Sequence, residues 1–358
     1  MATSHRAALL NGPGRALEIA DAEDFHARQG EVVIRNYSIA LQPLDAKMLI
    51  AGYGPAASLK CPAVLGTSGA GIIEAVGEDV QGLAVGDRVV FDTKAYVNAS
   101  DNRRTGTWQQ LVACDSKTVA KVRVSRKAEV ATSFTLTRMQ IGDVAFEQAV
   151  LIDFPLQTAV AALHVFLGMG KPGSGSKEEK VLIWGAGGAV GSYAVQFAKQ
   201  AGYTVIVTAS PRDVERQMKL GATEVLNYKD ADAVDKLRSL GPYKYLFTAS
   251  GDAASQKAMA SLLEPTGGSF ASVLPSAIEV PPNVELTYTA FSQAAQKEEY
   301  SEWRDWWYQE YLPKVLSEGL VDPVRFTKVE GGLSALQQAS QDVFDGKIKG
   351  KLVVNPQE

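Results

Sequence analysis

The feature that most constrains the fold is a strand, a glycine cluster and a helix in direct succession over residues 180–199, KVLIWGAGGAVGSYAVQFAK. Residues 181–184 are apolar and typical of a buried strand, and the residues after the glycines have the apolar spacing of a helix. This order opens a βαβ unit that binds the phosphates of a dinucleotide, because the first amides of the helix face the turn. The sequence therefore predicts an α/β fold with a doubly wound parallel sheet.

Each glycine of this turn has its own predicted task. Gly185 permits the tight exit from the strand, and Gly191 lets the helix pack close to the strand. Gly187 and Gly188 remove side chains where a pyrophosphate must approach the backbone. Together these positions predict a phosphate-binding turn.

The end of the second predicted strand, residues 203–209, indicates which dinucleotide is bound. A chain that binds NAD usually carries an acidic residue there for the ribose hydroxyls, whereas this chain continues with Ser210 and Arg212. A hydroxyl and a guanidinium suit the 2′-phosphate of NADPH. Asp213 is the nearest acid, and we interpret it as a first-turn residue that complements the helix dipole. The sequence therefore favours NADPH over NADH.

Composition limits the class of protein. The 358 residues leave room for two domains, and 46% hydrophobic with 21% charged residues is typical of a globular protein. A net charge of −4 gives no basic surface, so nucleic acid is not expected as a partner. The chain begins without a signal-like segment, and no run is expected to reach the length of a membrane span, so we expect a cytoplasmic protein without a membrane partner.

Cysteines and tryptophans carry two further expectations. Cys61 and Cys114 are expected to be reduced and at least partly buried. Three of the five tryptophans fall in one predicted helix, residues 301–318, and are expected to pack a core or an interface. That helix is compatible with a monomer or a homodimer.

Several short motifs, in their order along the chain, resemble the medium-chain dehydrogenase/reductase superfamily over almost the full length. The motifs are Gln42-Pro43-Leu44-Asp45, the glycine block that ends in Gly86-Asp87-Arg88-Val89, Thr158-Ala159, the glycine turn, Leu220-Gly221-Ala222 and Gly346-Lys347-Ile348-Lys349-Gly350-Lys351. The resemblance implies a GroES-like β-rich catalytic domain of residues 1–145 and 296–358. It also implies an inserted Rossmann domain of residues 146–295, with nicotinamide and substrate in the cleft between the two.

The motifs also indicate a branch of that superfamily. Its zinc enzymes carry a Gly-His-Glu sequence where this chain has Gly66-Thr67-Ser68, and two cysteines cannot fill a four-cysteine site. We therefore expect no metal site. The glycine spacing resembles the zinc-free quinone oxidoreductases, and other motifs are similar to fungal trans-acting enoyl reductases of polyketide synthases. Gln42 in place of an asparagine and Ala189 in place of a glycine depart from that pattern.

A site without a metal must activate its substrate by hydrogen bonds. A double bond conjugated to a carbonyl meets this condition, because hydride adds to the β-carbon while charge moves onto the carbonyl oxygen. The hypothesis is therefore NADPH-dependent reduction of an activated C=C bond in a free or carrier-linked substrate. The alternatives are a detoxifying quinone or alkenal reductase and a non-catalytic, crystallin-like protein that binds NADPH.

The resemblance places Lys47, Tyr53 and Thr158 near the nicotinamide and substrate. Lys47 would donate to the enolate oxygen or hold the ribose, Tyr53 would protonate the substrate or line the pocket, and Thr158 would position the nicotinamide. Their structural alternatives are a solvated lysine, a packed loop tyrosine and a helix-start cap. The residues expected around the cofactor are Lys47, Thr158, Gly185, Gly187, Gly188, Ala189, Val190, Gly191, Ser210, Arg212, Lys219, Tyr228 and Ser250. Of these, Lys219 and Tyr228 are implied by family similarity alone.

Overall fold

The computed structural model describes residues 4–98, 100–122 and 144–358. These divide into two compact units, the first formed by Met1–Phe154 with Ala295–Glu358 and the second by Pro155–Ala294. The helices are α1 (Pro43–Ala51), α2 (Asn102–Thr105), α3 (Phe146–Val160), α4 (Ala189–Ala201), α5 (Val214–Leu220), α6 (Ala233–Leu240), α7 (Ala253–Leu263), α8 (Ser301–Asp305), α9 (Leu312–Glu318) and α10 (Leu336–Phe344). A π-helical segment, Ala161–Phe166, continues α3, and a second one, Trp306–Tyr311, joins α8 to α9.

The strands are β1 (Ser4–Leu10), β2 (Leu17–Glu23), β3 (Glu31–Ala40), β4 (Ala63–Val64), β5 (Ser68–Val76), β6 (Arg88–Asp92), β7 (Leu111–Asp115), β8 (Val119–Lys121), β9 (Lys180–Trp184), β10 (Thr204–Ala209), β11 (Glu224–Asn227), β12 (Tyr245–Thr248), β13 (Gly268–Ser272), β14 (Val284–Thr287), β15 (Phe326–Val329) and β16 (Lys351–Val354).

The first unit is built on β3. This strand pairs in antiparallel fashion with β5, β7 and β16, within a sheet of order β15-β16-β3-β5-β6-β8. A smaller sheet has the order β2-β1-β4. Val32 and Ile34 of β3 are buried together with Ile73, Val89 and Phe91 from the neighbouring strands. One face of each strand presents apolar residues, and these residues form this core. Helices α1 and α10 pack against each other around a second apolar core.

The second unit is a parallel sheet with helices. Its strand order is β11-β10-β9-β12-β13-β14, and every pairing is parallel. Because β9 comes first in sequence and its two neighbours continue in opposite directions, the order reverses beside β9. The carboxyl ends of the strands at such a reversal are where ligands bind. The predicted fold class, a GroES-like β-rich domain with a Rossmann domain, is confirmed.

The tryptophan-rich segment forms a continuous helical run from α8 through the π segment to α9, as predicted. Trp303 and Trp307 are buried with their ring centroids 5.8 Å apart, and Trp306 stacks on Tyr311 at 4.9 Å. Trp307 also donates from Nε1 to Asp153 Oδ1 at 3.2 Å. These indoles are packing residues of the first unit.

Three expectations from the sequence were wrong. Cys61 is exposed, because it lies in a loop, whereas Cys114 is buried as expected. Thr158, for which a helix-start cap is the structural alternative, lies well inside a helix that begins at Phe146. The sequence predicts no run of membrane-span length, but the helical run Phe146–Phe166 is long and apolar enough to cross a membrane, with a mean hydropathy of 1.6. In its most apolar stretch 72% is buried inside the protein, as in a core helix.

Candidate functional site

Lys47 and Tyr53 lie side by side at the end of α1. The helix ends at Gly52, whose φ of +61° reverses the chain, and the Tyr53 amide then donates to the Lys47 carbonyl oxygen at 3.2 Å. This helix end brings the Lys47 ammonium to 5.5 Å from the centre of the Tyr53 ring. Tyr53 is 42% exposed, so it is not the packed loop tyrosine of the structural alternative. The pair presents an ammonium and a phenol, both hydrogen-bond donors, at one place.

A buried hydrogen-bond network holds α1 in position. Tyr96 Oη donates to Asp45 Oδ1 at 2.6 Å and accepts from the Gly66 amide at 2.6 Å. Asp45 Oδ2 accepts from the Gln42 amide at 3.0 Å, and Gln42 Oε1 accepts from Lys351 Nζ. Three motifs that are distant in sequence therefore meet, and they fix the helix that carries the Lys47 and Tyr53 pair.

Burial shifts the pKa values of the titratable groups in this network. It raises the pKa of Asp45 to about 6, against the hydrogen bond from Tyr96, which lowers it. It lowers the pKa of Lys351 to about 8, although the charge of Asp45 acts in the opposite direction. Burial and the neighbouring Asp45 carboxylate also hold the pKa of Tyr96 well above its usual value, so this phenol stays protonated. Gln42, which replaces the asparagine of the family pattern, accepts the hydrogen bond from Lys351.

A second buried polar cluster contains two carboxyl groups, Asp92 and Asp153. Gln296 Nε2 donates to Asp92 Oδ2 at 3.2 Å, and Trp307 Nε1 donates to Asp153. Burial raises the pKa of Asp92 well above its usual value, with a further contribution from the charge of Asp153. Burial likewise raises the pKa of Asp153 to about 7. Nothing in the sequence predicts the burial of Asp92 and Asp153, because an isolated acidic residue in a sequence does not indicate whether it is buried.

In the second unit, the glycine turn links β9 to α4. Gly185 has a φ of +86°, and its amide donates to the Thr208 hydroxyl at 3.1 Å. A Cβ at position 191 would lie 2.3 Å from the Gly185 carbonyl oxygen, so only glycine lets α4 approach this closely. Gly187 and Gly188 are exposed, and the helix begins at Ala189. The turn has the strand, bend and helix that the sequence predicted.

Other predicted cofactor residues lie at the same edge of the sheet. Ala209 of β10 pairs with Asn227 of β11, so Ser210 and Tyr228 both follow the carboxyl ends of adjacent parallel strands. A Cβ at Gly185 would lie 3.1 Å from the Ser250 amide nitrogen, which places Ser250 against the turn. Val190 is half-buried in the first turn of α4, whose amides have no acceptor within the helix.

The structure brings Asp213 to the glycine turn, which the sequence analysis missed. Ser210 Oγ donates to Asp213 Oδ2 at 2.7 Å, and Arg212 Nε is 3.6 Å from the same oxygen. A Cβ at Gly187 would lie 3.2 Å from that oxygen as well. The 3₁₀ turn Pro211–Asp213 produces this arrangement, and the Pro211 after Ser210 is the sequence signal that could have indicated it.

Thr158, Lys219 and Tyr228 differ in burial and in their positions on their elements. Thr158 is half-buried within α3, close to the point where the π segment begins, so the helix-start alternative is wrong for it. Lys219 is exposed in the last turn of α5. Tyr228 is 42% exposed, with Lys229 Nζ 5.8 Å from its ring centre.

The residues at the edge of the parallel sheet fit a dinucleotide. Gly187 and Gly188 carry no Cβ where the backbone is exposed, and α4 turns its first amides towards that space. Polar groups of Ser210, Arg212 and Ser250 lie around it. Within residues 4–98, 100–122 and 144–358, no three His, Cys, Asp or Glu side chains are grouped so that they could hold a metal ion.

Two families match separate parts of the chain. Residues 28–124 match the alcohol dehydrogenase GroES-like domain, and residues 189–287 match the family described as zinc-binding dehydrogenase. The first match falls in the β-rich unit, and the second covers α4 to β14 of the parallel-sheet unit. Both matches agree with the fold that the strand order indicates.

Individual relatives match over nearly the whole chain. The trans-enoyl reductase tazE of Aspergillus terreus is 31% identical over 302 residues, which is 82% of this chain and 93% of the relative. The trans-enoyl reductase ACTTS2 of Alternaria alternata is 27% identical, covering 91% of this chain and 92% of the relative. The crystal structure of a quinone oxidoreductase from Pseudomonas syringae has a TM-score of 0.71 at 22% identity, covering 98% of this chain and 100% of that one, and it shows the shared fold.

The family matches and the full-length relatives agree with the predicted motifs. The matched families are those of enzymes that use a nicotinamide cofactor, and the residues at the edge of the parallel sheet fit one. The chain is therefore an oxidoreductase that binds a nicotinamide dinucleotide, and it belongs to the medium-chain dehydrogenase/reductase superfamily, in the zinc-free enoyl reductase branch.

Proposed function

We propose that the protein is an NADPH-dependent, zinc-independent reductase of C=C bonds conjugated to a carbonyl group. The observation that carries this proposal is the 31% identity to a trans-enoyl reductase of which the chain covers 93%. The substrate would be a small unsaturated carbonyl compound, either free or linked to a carrier. We further propose a cytoplasmic protein whose catalytic domain is residues 1–145 and 296–358 and whose Rossmann domain is residues 146–295.

The choice of NADPH is supported by the groups that follow β10. Arg212 has 70% of its side chain exposed and carries a guanidinium suited to a phosphate. Ser210 and Tyr228 supply hydroxyl groups at the same sheet edge. We include Lys219 of α5 among the candidates for the 2′-phosphate, because an ammonium adds a charge contact of the same kind.

In the proposed mechanism, protein side chains stabilise the charge on the carbonyl oxygen and supply the proton. Bound NADPH supplies the hydride that adds to the β-carbon. The Lys47 ammonium donates to the carbonyl oxygen as negative charge develops on it, which stabilises the transition state. The Tyr53 hydroxyl delivers a proton to the α-carbon, and Thr158 positions the nicotinamide. The buried Asp45 network keeps α1 rigid, so that the Lys47 and Tyr53 pair is held before substrate binds.

A substrate panel tests the proposal. We would follow NADPH oxidation at the nicotinamide absorbance with an enoyl thioester, an alkenal and a quinone, after treating the protein with a metal chelator. The proposal expects reduction of the enoyl thioester, with a gain of two hydrogen atoms in the product by mass spectrometry. Activity with quinones alone would contradict the proposal and identify a detoxifying quinone reductase. Activity with alkenals alone would retain C=C reduction but identify a detoxifying alkenal reductase. NADPH binding without any turnover would identify a non-catalytic protein.

A further inference from the structure

A cavity in the first unit contains none of the residues of the proposed reaction. Its volume is about 340 Å³, within the size range of small-molecule sites. One wall is the segment that precedes β4, and the other is the segment that contains α2. The residues that line the cavity are Lys60, Cys61, Pro62, Ser100, Asp101, Arg103 and Arg104.

Buried hydrogen bonds hold the α2 wall of the cavity in place. Asn102 is buried, and its side chain accepts from the Val64 amide at 2.7 Å and donates to the Ala95 carbonyl oxygen at 3.0 Å. Gln109 is also buried, and its Nε2 donates to the Arg103 carbonyl oxygen at 3.1 Å. The backbone that carries Arg103 is therefore fixed before a ligand binds, which lowers the entropic cost of binding.

Some of the charges at this wall offset one another. Asp101 Oδ2 lies 3.1 Å from Nη1 of both Arg28 and Arg104. Arg104 Nη2 also lies 2.7 Å from Glu31 Oε2. Because two acids face two arginines, this group leaves no net charge for a ligand.

Lys60 and Arg103 leave two positive charges at the cavity. Both are exposed, and among the described residues neither side chain pairs with an acid. A phosphate monoester carries a charge of about −1.5 to −2 at pH 7 and matches two cations, whereas a carboxylate would neutralise only one. A guanidinium and an ammonium are also groups that proteins use to bind phosphate.

We propose that this cavity binds a small organic phosphate monoester. Lys60 and Arg103 contact the phosphate group. Because a cavity of about 340 Å³ is larger than a phosphate group, the organic part of the ligand occupies the rest of it, beside Cys61 and Pro62. The site goes beyond the proposed function, since it shares no residue with the reductase site.

The thiol of Cys61 reports whether the cavity is occupied. Cys61 is exposed and lines the cavity, Cys114 is buried, and the chain has no other cysteine. We would alkylate the folded protein with N-ethylmaleimide, which is uncharged, and quantify modified Cys61 by peptide mass spectrometry. Ribose 5-phosphate is the probe and ribose is the control without phosphate. Potassium chloride at equal ionic strength is the control for screening.

Ribose 5-phosphate should protect Cys61. At saturation it should slow alkylation of the wild type at least about fivefold, because a ligand in the cavity covers the thiol. Ribose and potassium chloride should leave the rate within about twofold of its original value. Inorganic phosphate should need an about tenfold higher concentration for half-maximal protection, because it leaves most of the cavity empty.

Two variants test the cations. Lys60→Gln and Arg103→Gln should each raise the concentration of ribose 5-phosphate for half-maximal protection about tenfold, because each removes a charge-assisted contact. Arg325→Gln is the matched control, since Arg325 is exposed in the same unit and does not line the cavity. It should shift this concentration by less than about twofold. Each variant is compared with its own rate without ligand, so that a change in thiol reactivity cancels.

Three results would overturn the inference. The first is protection by ribose 5-phosphate that is no stronger than protection by ribose or potassium chloride. The second is a half-maximal concentration that stays unchanged in Lys60→Gln and Arg103→Gln, or that shifts equally in Arg325→Gln. The third is equal protection by inorganic phosphate and ribose 5-phosphate, which would limit the cavity to the free anion.

Discussion

Replacement of Asp153 by asparagine should stabilise the protein at neutral pH. Asp153 is completely buried, and its Oδ1 accepts the indole proton of Trp307 at 3.2 Å. Its Oδ2 has no hydrogen-bond partner among the described residues. Burial raises the pKa of Asp153 from 3.8 to about 7. The folded protein therefore favours the neutral carboxyl group, which asparagine resembles in shape.

The size of the effect follows from proton linkage. Between pH 4 and pH 7 the unfolded chain releases the Asp153 proton while the folded protein retains it, so the free energy of unfolding falls as the pH rises. At ~1.4 kcal/mol for each pH unit, the interval from 3.8 to about 7 corresponds to about 4 kcal/mol. Asparagine has no proton to release. Asp153→Asn should therefore match the wild type near pH 4 and exceed its stability by about 4 kcal/mol at pH 8.

Urea unfolding followed by tryptophan fluorescence at a series of pH values measures this difference. Glu302→Gln is the matched control, because Glu302 is an exposed acid near Trp303 in α8 and should give a difference that does not vary with pH. A constant difference between Asp153→Asn and the wild type from pH 4 to pH 8 would refute the reasoning. Destabilisation by Asp153→Asn at pH 8 would refute it as well.

Four further substitutions test the site. Lys47→Ala and Tyr53→Phe should each lower the turnover number by about a hundredfold at unchanged NADPH affinity; full turnover in both would make water the proton source. Gly191→Ala places a Cβ 2.3 Å from the Gly185 carbonyl oxygen, so calorimetry should show loss of dinucleotide binding and urea unfolding a loss of about 1–3 kcal/mol; normal binding would remove the turn from the site. Tyr96→Phe leaves a buried donor and a buried acceptor without partners and should cost about 1–3 kcal/mol in urea unfolding, whereas an unchanged midpoint would mean that the network does not hold α1.

Local patterns in the sequence predicted the parallel-sheet unit well. The strand β9, the turn and α4 are encoded by consecutive residues, so the spacing of Gly185 and Gly191 is sufficient to place them. Lys47 and Tyr53 were implied by the family resemblance, and the helix end at Gly52 explains why they lie together. In both cases the contacts are made by residues that are close in sequence.

Contacts between distant residues could not be predicted. The network joins Asp45 to Tyr96 and Gln42 to Lys351, and only the folded sheet brings these residues together. Pro211 indicates a turn before Asp213, but the contact of the Asp213 side chain with the glycine turn depends on the packing of β10 against β9, so the sequence alone favours a helix-dipole role for this residue. Motifs identified the family, while the electrostatics of the site required coordinates.

Isotope transfer from NADPH tests the central claim most directly. The protein would be treated with a chelator and incubated with an enoyl thioester and NADPH that carries deuterium at the transferable position. We predict a saturated thioester with one deuterium on the β-carbon and a solvent proton on the α-carbon. A product that lacks the deuterium, or a reaction that proceeds only after zinc is restored, would contradict it.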